Sequence, residues 1–166
     1  MENQLEVNPY NNKRLCFSSA KNIVQKSFYA KSVLSECRKL SRSIVSCLHQ
    51  ITSDTDLHYE IELIISEAFS NVVVHGYDGH GEGDVIIDVS VDEQKKLFLK
   101  VRDWGKPFRG PDTEALELHP DLYMESGRGI FIISQLVDRF SYEHEDGKNT
   151  LQIEKDLRKK KLKQDT

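Results

Sequence analysis

The sequence predicts an α+β fold, a two-layer α/β sandwich with helices on one face of a mixed, mainly antiparallel sheet. Three observations lead there: two long stripes of apolar residues at helical spacing, two neighbouring segments of strict apolar–polar alternation, and a third apolar helix followed by a hairpin pattern. A chain of 166 residues suits one domain with its own core.

Residues 1–12 are polar and Asn-rich and read as a flexible N-terminus. Residues 13–19 (KRLCFSS) read as a first strand. Over residues 27–51, apolar positions fall at Val33, Leu34, Cys37, Leu40, Ile44, Val45, Leu48 and Ile51, the i, i+3, i+4, i+7 stripe of an amphipathic helix. Residues 52–56 break the stripe and offer Ser, Thr and Asp as caps for a second helix. That helix is expected over residues 56–75, with Leu57, Ile61, Ile64, Ile65, Ala68 and Val72 on one face. It ends in GYDGHGEGD, whose glycines read as turn chemistry.

Two strands follow. Residues 84–92 alternate Val85, Ile87, Val89 and Val91 against Ile86, Asp88 and Ser90, and residues 96–104 alternate Leu97, Leu99 and Val101 against Phe98, Lys100 and Arg102. Residues 105–126 read as a lid, because a loop beyond about 12–15 residues in a compact domain is usually functional. Residues 127–137 predict a third helix, and residues 139–144 and 150–155 a final hairpin around 145–149. The order is β-α-α-β-β-lid-α-β-β in a single domain over residues 13–155.

Composition narrows the setting. No apolar run exceeds the four residues 130–133, which excludes a helical membrane span, and the N-terminus has no apolar signal region. The net charge of −4 is uneven: residues 155–166 carry a net +4, leaving −8 on the rest. A body this acidic argues against direct nucleic-acid binding, and the tail over residues 156–166 reads as basic and flexible. Three cysteines without C-x-x-C spacing indicate neither disulfides nor zinc, Cys37 and Cys47 read as small buried side chains, and a reducing cytoplasm fits.

Of nine glycines, eight lie between Gly76 and Gly129, where backbone would approach a ligand or turn sharply. Glu67 and Asn71 stand about 40° apart on the second helix, on the flank of its apolar stripe, with His75 one turn on. Such a carboxylate–amide pair can point into a cleft; a solvated flank with a capping histidine is the alternative. Asp103 ends the inward-facing row Leu97, Leu99, Val101, and a buried carboxylate needs a hydrogen-bond donor, such as an adenine amino group. Gly105 would let a flat ring approach the backbone, although Asp103 can also simply open the turn. Gly127-Arg128-Gly129 feeds a helix N-terminus, which presents N–H groups and a positive dipole end to anions. If phosphates bind there, Mg²⁺ would bridge them with an oxygen from Asn71.

In this order, E-x-x-x-N on a helix, D-x-G after a strand, a long lid and G-x-G opening a helix resemble the GHKL ATPases of the Bergerat ATP-binding fold. The stretches SEAFSNVVVHGY, DWGKPF and SGRGIFIISQLVDRF are most similar to the anti-sigma-factor serine/threonine-protein kinases. The resemblance implies ATP and Mg²⁺ as cofactors, Glu67 as general base and Asn71 as metal ligand. It places His75, Gly127, Arg128 and Gly129 beside the phosphates, with Asp103, Gly105 and Thr150 around adenine. Glu125 departs from the pattern, since some members carry a basic residue there.

The activity implied is phosphorylation of a STAS-domain anti-anti-sigma protein in a partner-switching system, with a sigma factor as a further partner and a homodimer as the assembly. A regulatory module that binds nucleotide and sequesters a partner without phosphorylating it is the alternative, and an intact Glu67 favours the enzyme. A histidine-kinase fragment fails, because about 55 residues before the second helix leave no room for a phospho-accepting hairpin.

Overall fold

The computed structural model describes residues 6–7, 14–15, 21–108 and 128–159. Its centre is a five-stranded sheet of β3 (Asn22–Lys31), β4 (Asp84–Asp92), β5 (Lys96–Asp103), β6 (Arg139–Glu145) and β7 (Lys148–Asp156), ordered β3-β4-β5-β7-β6. Every neighbouring pair is antiparallel, so the sheet is not mixed. Two short strands, β1 (Glu6–Val7) and β2 (Arg14–Leu15), pair separately. Three helices complete the second layer: α1 (Leu34–Leu48), α2 (Thr55–Asn71) and α3 (Arg128–Leu136).

Alternation puts Val85, Ile87, Val89 and Val91 of β4 on the inner face with Leu97, Leu99 and Val101 of β5. Leu151 and Ile153 of β7 join them, and Ile44, Leu48, Ile61, Ile64, Ile65 and Ile133 of the helices close the same core. Each fully buried Leu or Ile contributes about 1.5–3 kcal/mol. The outer face is polar: Asp88 accepts from Ser27 Oγ at 2.6 Å and pairs with Arg102 at 2.6 Å. No helix among the described residues is long and apolar enough to cross a membrane.

Four sequence expectations need correction. The first long strand is Asn22–Lys31; of residues 13–19, Arg14–Leu15 form a separate short strand and the others lie outside the described residues. Residues 27–31, expected to open the first helix, pair with residues 84–88. The apolar stripe began only at Val33, so nothing tied 27–32 to helical spacing, and Phe28 and Tyr29 favour a strand. Lys155, the last residue of the expected hairpin, lies in the interior: it is 0% exposed, 2.6 Å from Glu60 Oε2, and donates to Leu136 O at 2.6 Å. Cys37 and Cys47 are free and half-buried rather than buried. Of the expected tail, Asp156 ends β7, Leu157 N donates to Lys95 O at 2.9 Å, and Arg158 pairs with Asp156 through Nε at 2.8 Å and Nη2 at 2.7 Å. Residues 160–166 and Cys16 lie outside the described residues.

One local signal acts as read. Asp54 caps α2 by accepting from Asp56 N at 3.1 Å and Leu57 N at 3.2 Å. Asp54→Ala is expected to lower stability by about 0.5–2 kcal/mol, seen as a shifted urea midpoint at constant slope. The last hairpin turns more tightly than expected, with Asp146 at φ 51° and Gly147 at φ 73°, two positive φ values that match a two-residue turn. That turn fixes which β7 side chains face inward.

Candidate functional site

The second helix does not run α-helically to residue 75. After Asn71 the chain makes a π-helical turn, Val72–Gly76, in which Tyr77 N donates to Val72 O at 3.1 Å. Such turns concentrate at functional sites, and this one forms one wall of a cleft. Asn71, His75 and Gly76 line it from α2 and the turn, Asp103 and Val101 from β5, and Asn149 and Leu151 from β7.

Beside Asn71, α3 packs against α2 at one bare backbone position. A Cβ on Gly129 would stand 2.9 Å from both Glu67 Oε2 and Asn71 Oδ1, so the carboxylate and the amide converge on the first turn of α3. Asn71 Nδ2 is buried and has no hydrogen-bond partner among the described residues. The Asn71 amide oxygen is a hard donor of the kind that suits Mg²⁺, which takes one or two protein oxygens and completes its shell with water and phosphate. Arg128 opens α3 with its side chain exposed. The α3 N-terminus adds a positive dipole end at this place. Gly127 and most of the expected lid, residues 109–126, lie outside the described residues.

Deeper in, Asp103 is 5% exposed, as its place in the inward row required. Its Oδ1 accepts from Gly105 N at 2.9 Å and Asn149 Nδ2 at 2.7 Å. Burial pushes this carboxyl above the ordinary aspartate range, while the Asn149 and Gly105 hydrogen bonds and the nearby His144 act in the opposite direction. Burial likewise pushes the Tyr77 and Tyr142 hydroxyls up. Phe108 closes the far side, with its ring edge-on to His75 at 6.5 Å and to Tyr142 at 5.9 Å.

The structure therefore brings Asn71, His75 and Asp103 to one cleft; Glu67 and Gly129 stand beside Asn71, outside the lining, and Arg128 precedes Gly129. Two sequence assignments fall elsewhere. Thr150 points to the outer face, paired across the sheet with Arg102 and Glu143, and lines a polar recess there. Its neighbour Asn149 occupies the inner position opposite Asp103. Gly105 serves backbone packing rather than ring access: a Cβ there would meet Gly76 O at 2.5 Å, and Lys106 N donates to that carbonyl at 2.8 Å. Gly76, read as turn chemistry, lines the cleft instead. Sequence reasoning also missed Lys106, Phe108 and Tyr142; for Asn149 the signal existed, since Leu151 and Ile153 share its parity.

Comparison with known proteins gives the family of this fold. The histidine kinase-like ATPase domain family matches residues 31–155. The anti-sigma F factor of Priestia megaterium is 31% identical over 116 residues, covering 68% of this chain and 78% of that protein. The anti-sigma F factor of Bacillus subtilis (strain 168) is 28% identical over 135 residues, covering 78% and 91%. Among solved structures, the RsbU and RsbW domains of a Mycobacterium tuberculosis protein share the fold at TM-score 0.59 and 17% identity, over 86% of this chain and 34% of that one. The Pseudomonas aeruginosa SiaB–SiaC complex matches at TM-score 0.59 and 11% identity, over 81% and 90%. The chain is a member of the histidine kinase-like ATPase domain family, in its anti-sigma-factor group.

Proposed function

We propose that this protein is an ATP-dependent protein serine/threonine kinase and anti-sigma factor that phosphorylates a STAS-domain anti-anti-sigma protein. The observation that carries the reading is the convergence of Glu67 and Asn71 on Gly129 beside a cleft lined by Asp103. Membership in an ATPase family whose relatives are anti-sigma F factors supports it.

In this reading Asp103 accepts the adenine amino group, and the triphosphate runs toward the α3 N-terminus. There Gly127, Arg128, Gly129 and His75 meet its oxygens. Glu67 takes the proton of the partner's hydroxyl as that oxygen attacks the γ-phosphorus, and the bond to the ADP oxygen breaks. Mg²⁺, when held by Asn71, supplies charge neutralisation of the phosphates. What this chain adds is positioning and a proton acceptor. The reading carries with it a cytoplasmic setting, a sigma factor as second client and a homodimer.

The test mixes the protein with [γ-³²P]ATP, Mg²⁺ and the STAS proteins of its own genome. Label is expected on one of them, on a serine or threonine, and lost when the divalent cation is chelated. ATP binding without transfer to any STAS protein would overturn the kinase and leave a nucleotide-dependent binding module.

A further inference from the structure

Asn149 is 2% exposed, and its amide has one orientation that satisfies its surroundings. On one side lie Asp103 Oδ1 at 2.7 Å, Gly105 O at 3.1 Å and Lys106 O at 3.3 Å, all acceptors, so Nδ2 faces them. On the other side Oδ1 is 2.7 Å from the Tyr142 hydroxyl and 2.7 Å from His144 Nδ1. The Tyr142 oxygen already accepts from Phe108 N at 2.7 Å, so its proton goes to Asn149, and Nδ1 of His144 is the protonated nitrogen. A flipped amide would set oxygen against three acceptors. Asn149 is thus locked as a donor toward Asp103.

Asp103 Oδ1 receives two N–H groups, while Oδ2 has no hydrogen-bond partner among the described residues. A buried carboxyl in the cleft has two states with opposite preferences. Charged, it only accepts; protonated, it donates. Hydrogen bonds to the charged form oppose the desolvation that favours the neutral one. The other ionisable groups around it are Tyr77, Tyr142 and His144, with His75 and Lys106 lining the same cleft. Lys106 is engaged with Asp78.

We propose that Asn149 sets the base preference of the site: by donating to Oδ1 of Asp103 it keeps this carboxylate an acceptor, so the cleft takes a purine with an amino group at C6 and rejects a 6-oxo purine. The inference rests on the reading of Asp103 as the base-binding group. A 6-oxo purine turns an oxygen toward the carboxylate, and leaving such buried groups unpaired discriminates strongly. Asn149 acts through Asp103 and is a positioning residue, so its signature is a change in preference rather than a general loss of binding.

The experiment titrates ATP and ITP into the full chain by calorimetry. The native protein is expected to prefer ATP by at least about tenfold. Asn149→Asp keeps shape and volume but replaces the donor by an oxygen; two adjacent carboxyls then share a proton, and one can donate to the base. The ATP-to-ITP ratio is expected to fall by at least about tenfold, through weaker ATP and retained or stronger ITP. Tyr142→Phe, which keeps the ring and removes the hydroxyl that orients Asn149, is expected to shift the ratio the same way by a smaller factor. Equal losses for both nucleotides, or an unchanged ratio in either folded variant, would overturn the role of Asn149 while leaving the nucleotide site standing. Native protein that binds neither nucleotide would overturn the base-site reading as well.

Discussion

Glu67→Gln is expected to lower phosphoryl transfer to the STAS partner about 10²–10⁴-fold while ATP affinity stays essentially unchanged. Glutamine keeps the length and planar end of the side chain, so the close approach of Gly129 to this position survives. What it removes is the ability to take a proton from the attacking hydroxyl. Initial transfer rates and calorimetric ATP affinity, measured on the same preparation, separate the two effects. Transfer at the native rate would mean that another group accepts the proton, and a parallel loss of ATP affinity would make Glu67 a nucleotide ligand instead. The comparison is sharpened by Asn71, which lies against the same backbone position but has no basic atom.

Lys155→Met alone is expected to destabilise the fold by about 3–5 kcal/mol, because it leaves the carboxylate of Glu60 buried without its cation. Both side chains are 0% exposed, at 2.6 Å, and Lys155 also satisfies the carbonyl of Leu136, the last residue of α3. The double change Lys155→Met with Glu60→Leu removes both charges together and is expected to recover most of the loss, as buried ion pairs replaced by apolar groups often do. Urea unfolding of the native protein, the two single variants and the double variant closes the cycle. A single variant as stable as the native chain would show that water or another group already compensates Glu60. The pair ties α2, which carries Glu67 and Asn71, to β7 and to the end of α3.

Strong periodicity made part of this molecule legible. The inner rows of β4, as far as Val91, and of β5 alternate, and the same parity that buries Leu97, Leu99 and Val101 carries Asp103 inward. The caps and stripe of α2 were equally plain. What escaped the sequence had specific physical causes. β3 is an edge strand whose buried side is Val24 and Ala30, too few apolar residues to show alternation. Lys155 falls in the expected final strand, but its burial against Glu60, distant in sequence, leaves no local pattern. Thr150 was one residue out of register, and the Asp146–Gly147 turn, which fixes that register, is stated in the sequence by its D-G pair. Gly76 escaped because a regular α-helical count ends its row at His75.

That count has a consequence for how the chain tolerates changes of length. Between Asn71 and Gly76 stand three identical valines and a histidine, and the π-helical turn accommodates the five-residue step. Deleting any one of the three valines yields the same shortened chain, in which the glycine would follow Asn71 by four residues, the ordinary α-helical repeat. The turn therefore behaves as a one-residue insertion absorbed inside a helix. It leaves the bare backbone under the cleft in place and displaces only the side chains between, so the wall of the site can vary while its floor is kept.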